Sequence, residues 1–89
     1  MNRDDRGDAG MTADDVKGMI EKGIPDCNAM VAGEGDHFEA KIVSQAFAGK
    51  KMLEQHRMVY ATLGDHMHSD IHALTMRTFT PEEWAAAEQ

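Results

Sequence analysis

Two short apolar runs, residues 28–32 and 37–43, are separated by Gly33-Glu34-Gly35-Asp36, and this arrangement does most to limit what the chain can fold into. Glycine reaches positive φ at no steric cost, so a Gly-rich four-residue connection between two strand-like runs suits a hairpin. Within the second run Phe38, Ala40 and Ile42 alternate with Glu39 and Lys41, which gives that strand one dry face and one wet face. The middle of the chain is thereby committed to a pair of strands that needs a layer to cover it.

Helical patterns on either side supply the layer. Thr12 followed by Asp15 is a capping-box signal, and Val16, Met19 and Ile20 recur at helical spacing until Gly23 and Pro25, which predicts a helix over 12–22. Between 51 and 66, Leu53, Val59, Tyr60, Leu63 and Met67 fall on one helical stripe with His56 on it, the expected main core helix. Gly64 in its last turn costs about 1 kcal/mol relative to Ala and predicts a ragged end. A third strand is expected over 71–79, with Leu74 and Met76 on one face and Thr75 and Arg77 on the other. Thr80-Pro81-Glu82-Glu83 then combines an N-cap, a proline at the first helical position and a Glu three residues after the cap, opening a short helix that carries Trp84.

The predicted order is α-β-β-α-β-α: an α+β, two-layer fold with a small three-stranded mixed sheet and helices on one face. At 89 residues there is room for one core, so 12–89 is read as a single domain behind a disordered tail, 1–11. If strands two and three are parallel, the helix between them is a right-handed crossover and both strands begin at one edge of the sheet. His37 and His72 stand at those two beginnings and are the histidine pair that the topology itself brings together.

Composition narrows the function classes. Hydrophobic residues at 42% and charged residues at 28% are globular proportions, and no apolar run approaches the roughly 18 residues that a membrane span needs. The segment 1–10 is charged and lacks the apolar stretch of a secretion signal, so a soluble protein of the reducing cytoplasm is expected. Nine basic residues against sixteen acidic ones give a net charge of −7, which opposes binding to a polyanion unless the cations cluster. The single cysteine, Cys27, excludes an internal disulfide.

Neutral imidazole binds iron, zinc and copper, so His37 and His72 at one edge form half a metal site, with the other half open to a partner. An iron–sulfur cluster wants about four ligands, mostly thiolates, so this chain cannot hold one alone, although histidine can replace cysteine on one iron. Cys27, placed before the first strand, is read as structural. His66 and Asp70 would face together on a continued helix, but histidines near a helix C-terminus are accounted for by its dipole. His56 on the apolar stripe is read as a hydrogen-bonded core histidine, Arg57 as outward-facing, and the eight methionines mostly as core filler. Lys50, Lys51 and Arg57 form a small basic patch near the start of the main helix, the one feature that favours nucleic acid. The glycines fit no phosphate-binding loop, and no acid, base and nucleophile converge, so no enzyme is expected.

Taken together, Gly33-Glu34-Gly35-Asp36-His37-Phe38, Phe47-Ala48-Gly49-Lys50, Gln55-His56-Arg57-Met58-Val59-Tyr60, Ile71-His72-Ala73-Leu74 and Thr80-Pro81-Glu82-Glu83-Trp84 closely resemble the BolA family in order and spacing, over about residues 15–84. The Gly-x-Gly-x-His-Phe hairpin looks most like its short-loop bacterial branch, the IbaG type. The resemblance implies a fold like the class II KH domain. It also implies partnership with a monothiol glutaredoxin through a shared [2Fe-2S] cluster with glutathione, and a role in iron–sulfur trafficking, iron homeostasis or the stress response. It maps the cluster ligand that opens strand three onto His72 and the hairpin ligand onto His37; no cofactor is expected on the isolated chain, and the apo chain is left free to form a homodimer. Longer-loop members place the second ligand further into the loop, and Gln55 stands where many members have Arg, which thins the basic patch. Some members are described as DNA-binding transcriptional regulators; that alternative would use Lys50, Lys51 and Arg57, but the Gly-x-x-Gly clamp of KH domains is absent and the net charge is wrong.

Overall fold

The computed structural model describes residues 11–87, so the expected tail lies outside the described residues except for Met11. The elements are α1 (Ala13–Gly23), β1 (Cys27–Glu34), β2 (His37–Ser44), a 3-10 turn (Gln45–Phe47), α2 (Met52–Leu63), a one-turn α3 (His66–Ser69), β3 (Ala73–Phe79) and α4 (Pro81–Ala87). The sheet order is β1-β2-β3, with β1 and β2 antiparallel and β2 and β3 parallel. The predicted order therefore stands, with α3 and the 3-10 turn added.

Both capping boxes form. The Thr12 hydroxyl accepts from the Asp15 N–H and the Asp15 carboxylate accepts from the Thr12 N–H; Thr80 and Glu83 exchange the same pair of bonds. Each pair satisfies N–H groups that a helix start leaves without intrahelical partners, which fixes where α1 and α4 begin.

The hairpin is tighter than expected. β1 extends to Glu34, leaving only Gly35 and Asp36 as the connection. Gly35 has φ 68° and Asp36 does not have positive φ, as a type II′ turn requires. Gly33 is absorbed into the strand at φ 130°, where a Cβ would lie 2.3 Å from the His37 carbonyl oxygen and 2.8 Å from the Phe38 Cα.

The core fills the space between one face of the sheet and the two long helices. Val16 and Ile20 of α1, Val59 and Leu63 of α2, and Ala29, Phe38, Ala40, Ile42 and Met76 of the sheet are buried in one cluster with Phe47 from the 3-10 turn. Full burial of an aliphatic or Phe side chain contributes about 1.5–3 kcal/mol. Ser44, the buried polar residue, is satisfied: its hydroxyl donates to the Pro25 carbonyl (2.7 Å) and accepts from the Ala46 N–H (3.0 Å).

Four sequence expectations change. The apolar stripe on α2 is rotated: Val59 and Leu63 are buried and Met67 packs on the core, but Leu53 and Tyr60 are 62% and 42% exposed. The main helix ends at Leu63, where Gly64 caps it through an N–H bond to the Tyr60 carbonyl, and His66 belongs to the separate turn α3. β3 begins at Ala73, two residues later than expected. Helices on one face describes α1 and α2; α4 instead brings Trp84 edge-on against Phe79 (5.1 Å between ring centroids) on the opposite, outward-facing parity of β3.

The outer edge of β1 is clamped by α1. Ala29 donates its N–H to the Glu21 carboxylate (2.9 Å), its carbonyl accepts from the Lys17 ammonium (2.8 Å), and Lys17 and Glu21 pair at 2.6 Å. The Ala29 N–H, then Lys17, hold the Glu21 carboxyl below its usual 4.5. A lowered carboxylate pKa stabilises the fold above its ordinary value and loses that contribution as pH falls through the folded value. Wild type should therefore have a higher urea midpoint than Glu21→Gln at neutral pH, and the two midpoints should converge as pH falls below 4.5 and through the lowered Glu21 value. Gly33→Ala should cost at least about 1–3 kcal/mol in urea denaturation, because both the backbone angle and the close approach oppose a Cβ.

Candidate functional site: a histidine pair at the sheet edge

β2 and β3 run parallel with His37 opposite Ala73, so their first residues lie side by side. The hairpin turn fixes this edge. The Asp36 carbonyl accepts from both the His72 N–H (2.7 Å) and the Ala73 N–H (3.1 Å), which docks the start of β3 onto the turn that precedes β2. His72 sits one residue before β3 and His37 is the first residue of β2. Their rings stack, with centroids 5.4 Å apart and planes 16° from parallel. Asp36 Oδ1 lies 3.5 Å from His37 Nε2. Asp36 thus contributes to both histidines, a role that its place in the turn sequence did not reveal because it depends on the crossover returning there.

Both rings are solvent-accessible, with the His37 side chain 67% exposed. The edge opens on a depression of about 410 Å³ lined by Gly33, His37, Glu39, Ala73 and Thr75. Two exposed imidazoles held by backbone hydrogen bonds can each offer a nitrogen to a soft or borderline metal, with solvent or a second molecule on the far side. Among the described residues no group of three or more His, Cys, Asp and Glu is arranged to hold a metal ion. Two such donors are fewer than a complete ligand set, so a metal held at this edge would need further ligands from outside the described residues.

The other candidates are not part of this edge. Cys27 pairs with Ser44, seven residues along β2 from His37, which is roughly 23 Å of strand. Burial, followed by the nearby Glu21 charge, pushes its thiol up to about 11, so it is not a thiolate at neutral pH. His66 and Asp70 do face together, at 2.6 Å from Nδ1 to Oδ2, and this hydrogen bond holds the Asp70 carboxyl below its usual value. The pair closes α3, and among the described residues no third ligand is grouped with it. The His56 side chain is half-buried without a hydrogen-bond partner among the described residues, contrary to expectation; its neighbour Gln55 carries the polar contacts. Gln55 Nε2 donates to the Phe47 and Lys50 carbonyls and its Oε1 accepts from the Thr78 hydroxyl, joining the turn, α2 and β3. Lys50, Lys51 and Arg57 are exposed, and the two lysines lie at the β2 C-terminal end, across the sheet from the histidines. No helix among the described residues is long and apolar enough to cross a membrane.

A family model described as BolA-like protein matches residues 21–83, and the chain belongs to the BolA family. The chain is 42% identical over 53 residues to the Escherichia coli protein named DNA-binding transcriptional regulator BolA, an alignment that spans 60% of this chain and 50% of that protein. It is 32% identical over 78 residues to an Acinetobacter guillouiae protein described only by its place in the rpoN-murA intergenic region, covering 86% of this chain and 94% of the other. Among solved structures, a bolA protein homologue from Coxiella burnetii superposes with a TM-score of 0.77 at 43% identity, over 84% of this chain and 97% of that one.

Because both histidine rings are exposed, neither helps to hold the fold. Replacing His37 and His72 together by Ala should change unfolding free energy by no more than about 0.5 kcal/mol per site in urea denaturation, the usual range for surface positions.

Proposed function

We propose that the chain is a BolA-type adaptor without catalytic activity of its own. It binds a monothiol glutaredoxin and co-ligates a [2Fe-2S] cluster through His72 and His37, the glutaredoxin and glutathione supplying the thiolates. The stacked pair at the edge carries this reading. The chain places two exposed imidazoles side by side at one edge and keeps its sole thiol protonated and distant, so it has nitrogen donors to give and no sulfur donor. Histidine ligation on one iron of a [2Fe-2S] cluster leaves the other iron to thiolates, which is a division between two proteins. The two-residue Gly35-Asp36 hairpin favours placement in the short-loop, IbaG-type branch. Such an adaptor serves iron–sulfur trafficking or iron and stress regulation in the cytoplasm.

The test is anaerobic reconstitution of the cluster on a monothiol glutaredoxin with glutathione, followed by visible circular dichroism. Wild type should change the spectrum, His72→Ala should abolish the change, and Cys27→Ser should leave it intact. An unchanged spectrum with wild type overturns the reading.

A second reading, DNA binding, is favoured by the name of the Escherichia coli relative and by the exposure of Lys50, Lys51 and Arg57. It requires an affinity that falls steeply with salt and depends on those residues. Gel shifts at two salt concentrations should show neither for the adaptor.

A further inference from the structure

The outer face of the sheet carries a row of side chains that neither the core nor the histidine edge uses. Met30, Lys41 and Arg77 are successive register partners across β1, β2 and β3, and all three point away from the core. Strands lie about 4.8 Å apart, so the two cations stand directly side by side, an arrangement that is destabilising in itself. Neither is in an ion pair with a carboxylate among the described residues, although the chain has a net charge of −7. Arg77 is held over the Phe79 ring, 5.4 Å from its centroid. Trp84 of α4 stands over the same face and closes one side of an open groove of about 590 Å³, whose walls include Met30, Glu39, Lys41, Thr75, Arg77 and Trp84.

We infer that this groove binds a nucleoside monophosphate. The volume lies in the range of small-molecule sites, about 300–1,000 Å³. Each part of such a ligand has a counterpart on the wall. The half-buried Trp84 offers a planar surface for a base, Lys41 and Arg77 offer adjacent donors for the phosphate oxygens, and Glu39 with Thr75, one register row away, offers acceptors for ribose hydroxyls. Glu39 also limits the charge: a continuous phosphate chain would run from the cation row onto a carboxylate, so one phosphate is accommodated and a polynucleotide is not. The groove adjoins the depression at the histidine edge and shares Glu39 and Thr75 with it, but Lys41, Arg77 and Trp84 line the groove alone, and binding there does not depend on a glutaredoxin.

Trp84 is the sole tryptophan and therefore reports on its own groove. Titrating the full chain with AMP or UMP should give saturable quenching of its fluorescence, which neither inorganic phosphate nor the free nucleoside reproduces. Lys41→Gln, at an exposed position, should weaken the apparent affinity by about tenfold, the loss of one charge-assisted hydrogen bond, with an unchanged far-ultraviolet circular dichroism spectrum. The double variant His37→Ala with His72→Ala should titrate as wild type does. Absence of saturation, equal affinity in Lys41→Gln, or saturation by an acidic peptide or a single-stranded oligonucleotide in place of the mononucleotide overturns the assignment.

Discussion

The parallel pairing of β2 with β3 is the constraint on which the rest of the molecule depends. A parallel neighbour cannot be reached by a tight turn, so the chain must cross over the sheet, and α2 is that crossover. The crossover puts Val59 and Leu63 over the same face that α1 covers with Val16 and Ile20. It also returns the chain to the edge where β2 began, where the Asp36 carbonyl receives two N–H groups. Those bonds join the hairpin turn to the start of β3 and bring His37 and His72 into ring contact. One topological decision therefore yields both the core and the site.

The two ends of the sheet are chemically distinct as a result. The histidine end is open, polar and built from strand beginnings. The other end holds the protonated Cys27, the buried Ser44, the 3-10 turn and the exposed Lys50 and Lys51. A partner approaching the histidines meets no cation from the basic patch. A polyanion drawn to the patch would bind without touching the histidines. The adaptor and nucleic-acid readings thus make separate demands on separate surfaces.

Local signals in the sequence that report on neighbours along the chain were legible. The Thr12 and Thr80 boxes, the strand alternation of β2 and the order of elements all rest on contacts within a few residues, and the structure keeps them. The histidine pair was legible for a different reason: two strand starts plus a parallel crossover place them together without any side-chain detail. What failed depended on packing. On α2 the sequence placed Leu53, Val59, Tyr60, Leu63 and Met67 on one stripe, and only the packing of α2 on β3 and α1 decides that Val59 and Leu63 face in while Leu53 and Tyr60 face out. The hydrogen bonding of Gln55, rather than His56, follows from where the Phe47 carbonyl and Thr78 come to rest. The Lys41–Arg77 row needs the strand register, and the placement of Trp84 needs the direction in which α4 leaves β3.

In the proposed function this chain supplies nitrogen ligands to a cluster whose thiolates come from a glutaredoxin and glutathione. Pulsed electron paramagnetic resonance of the reduced complex, with only this chain labelled by 15N-histidine, tests it most directly. Hyperfine couplings that switch from 14N to 15N with the label, and that diminish in His72→Ala, are the expected result; couplings that ignore the label would contradict it.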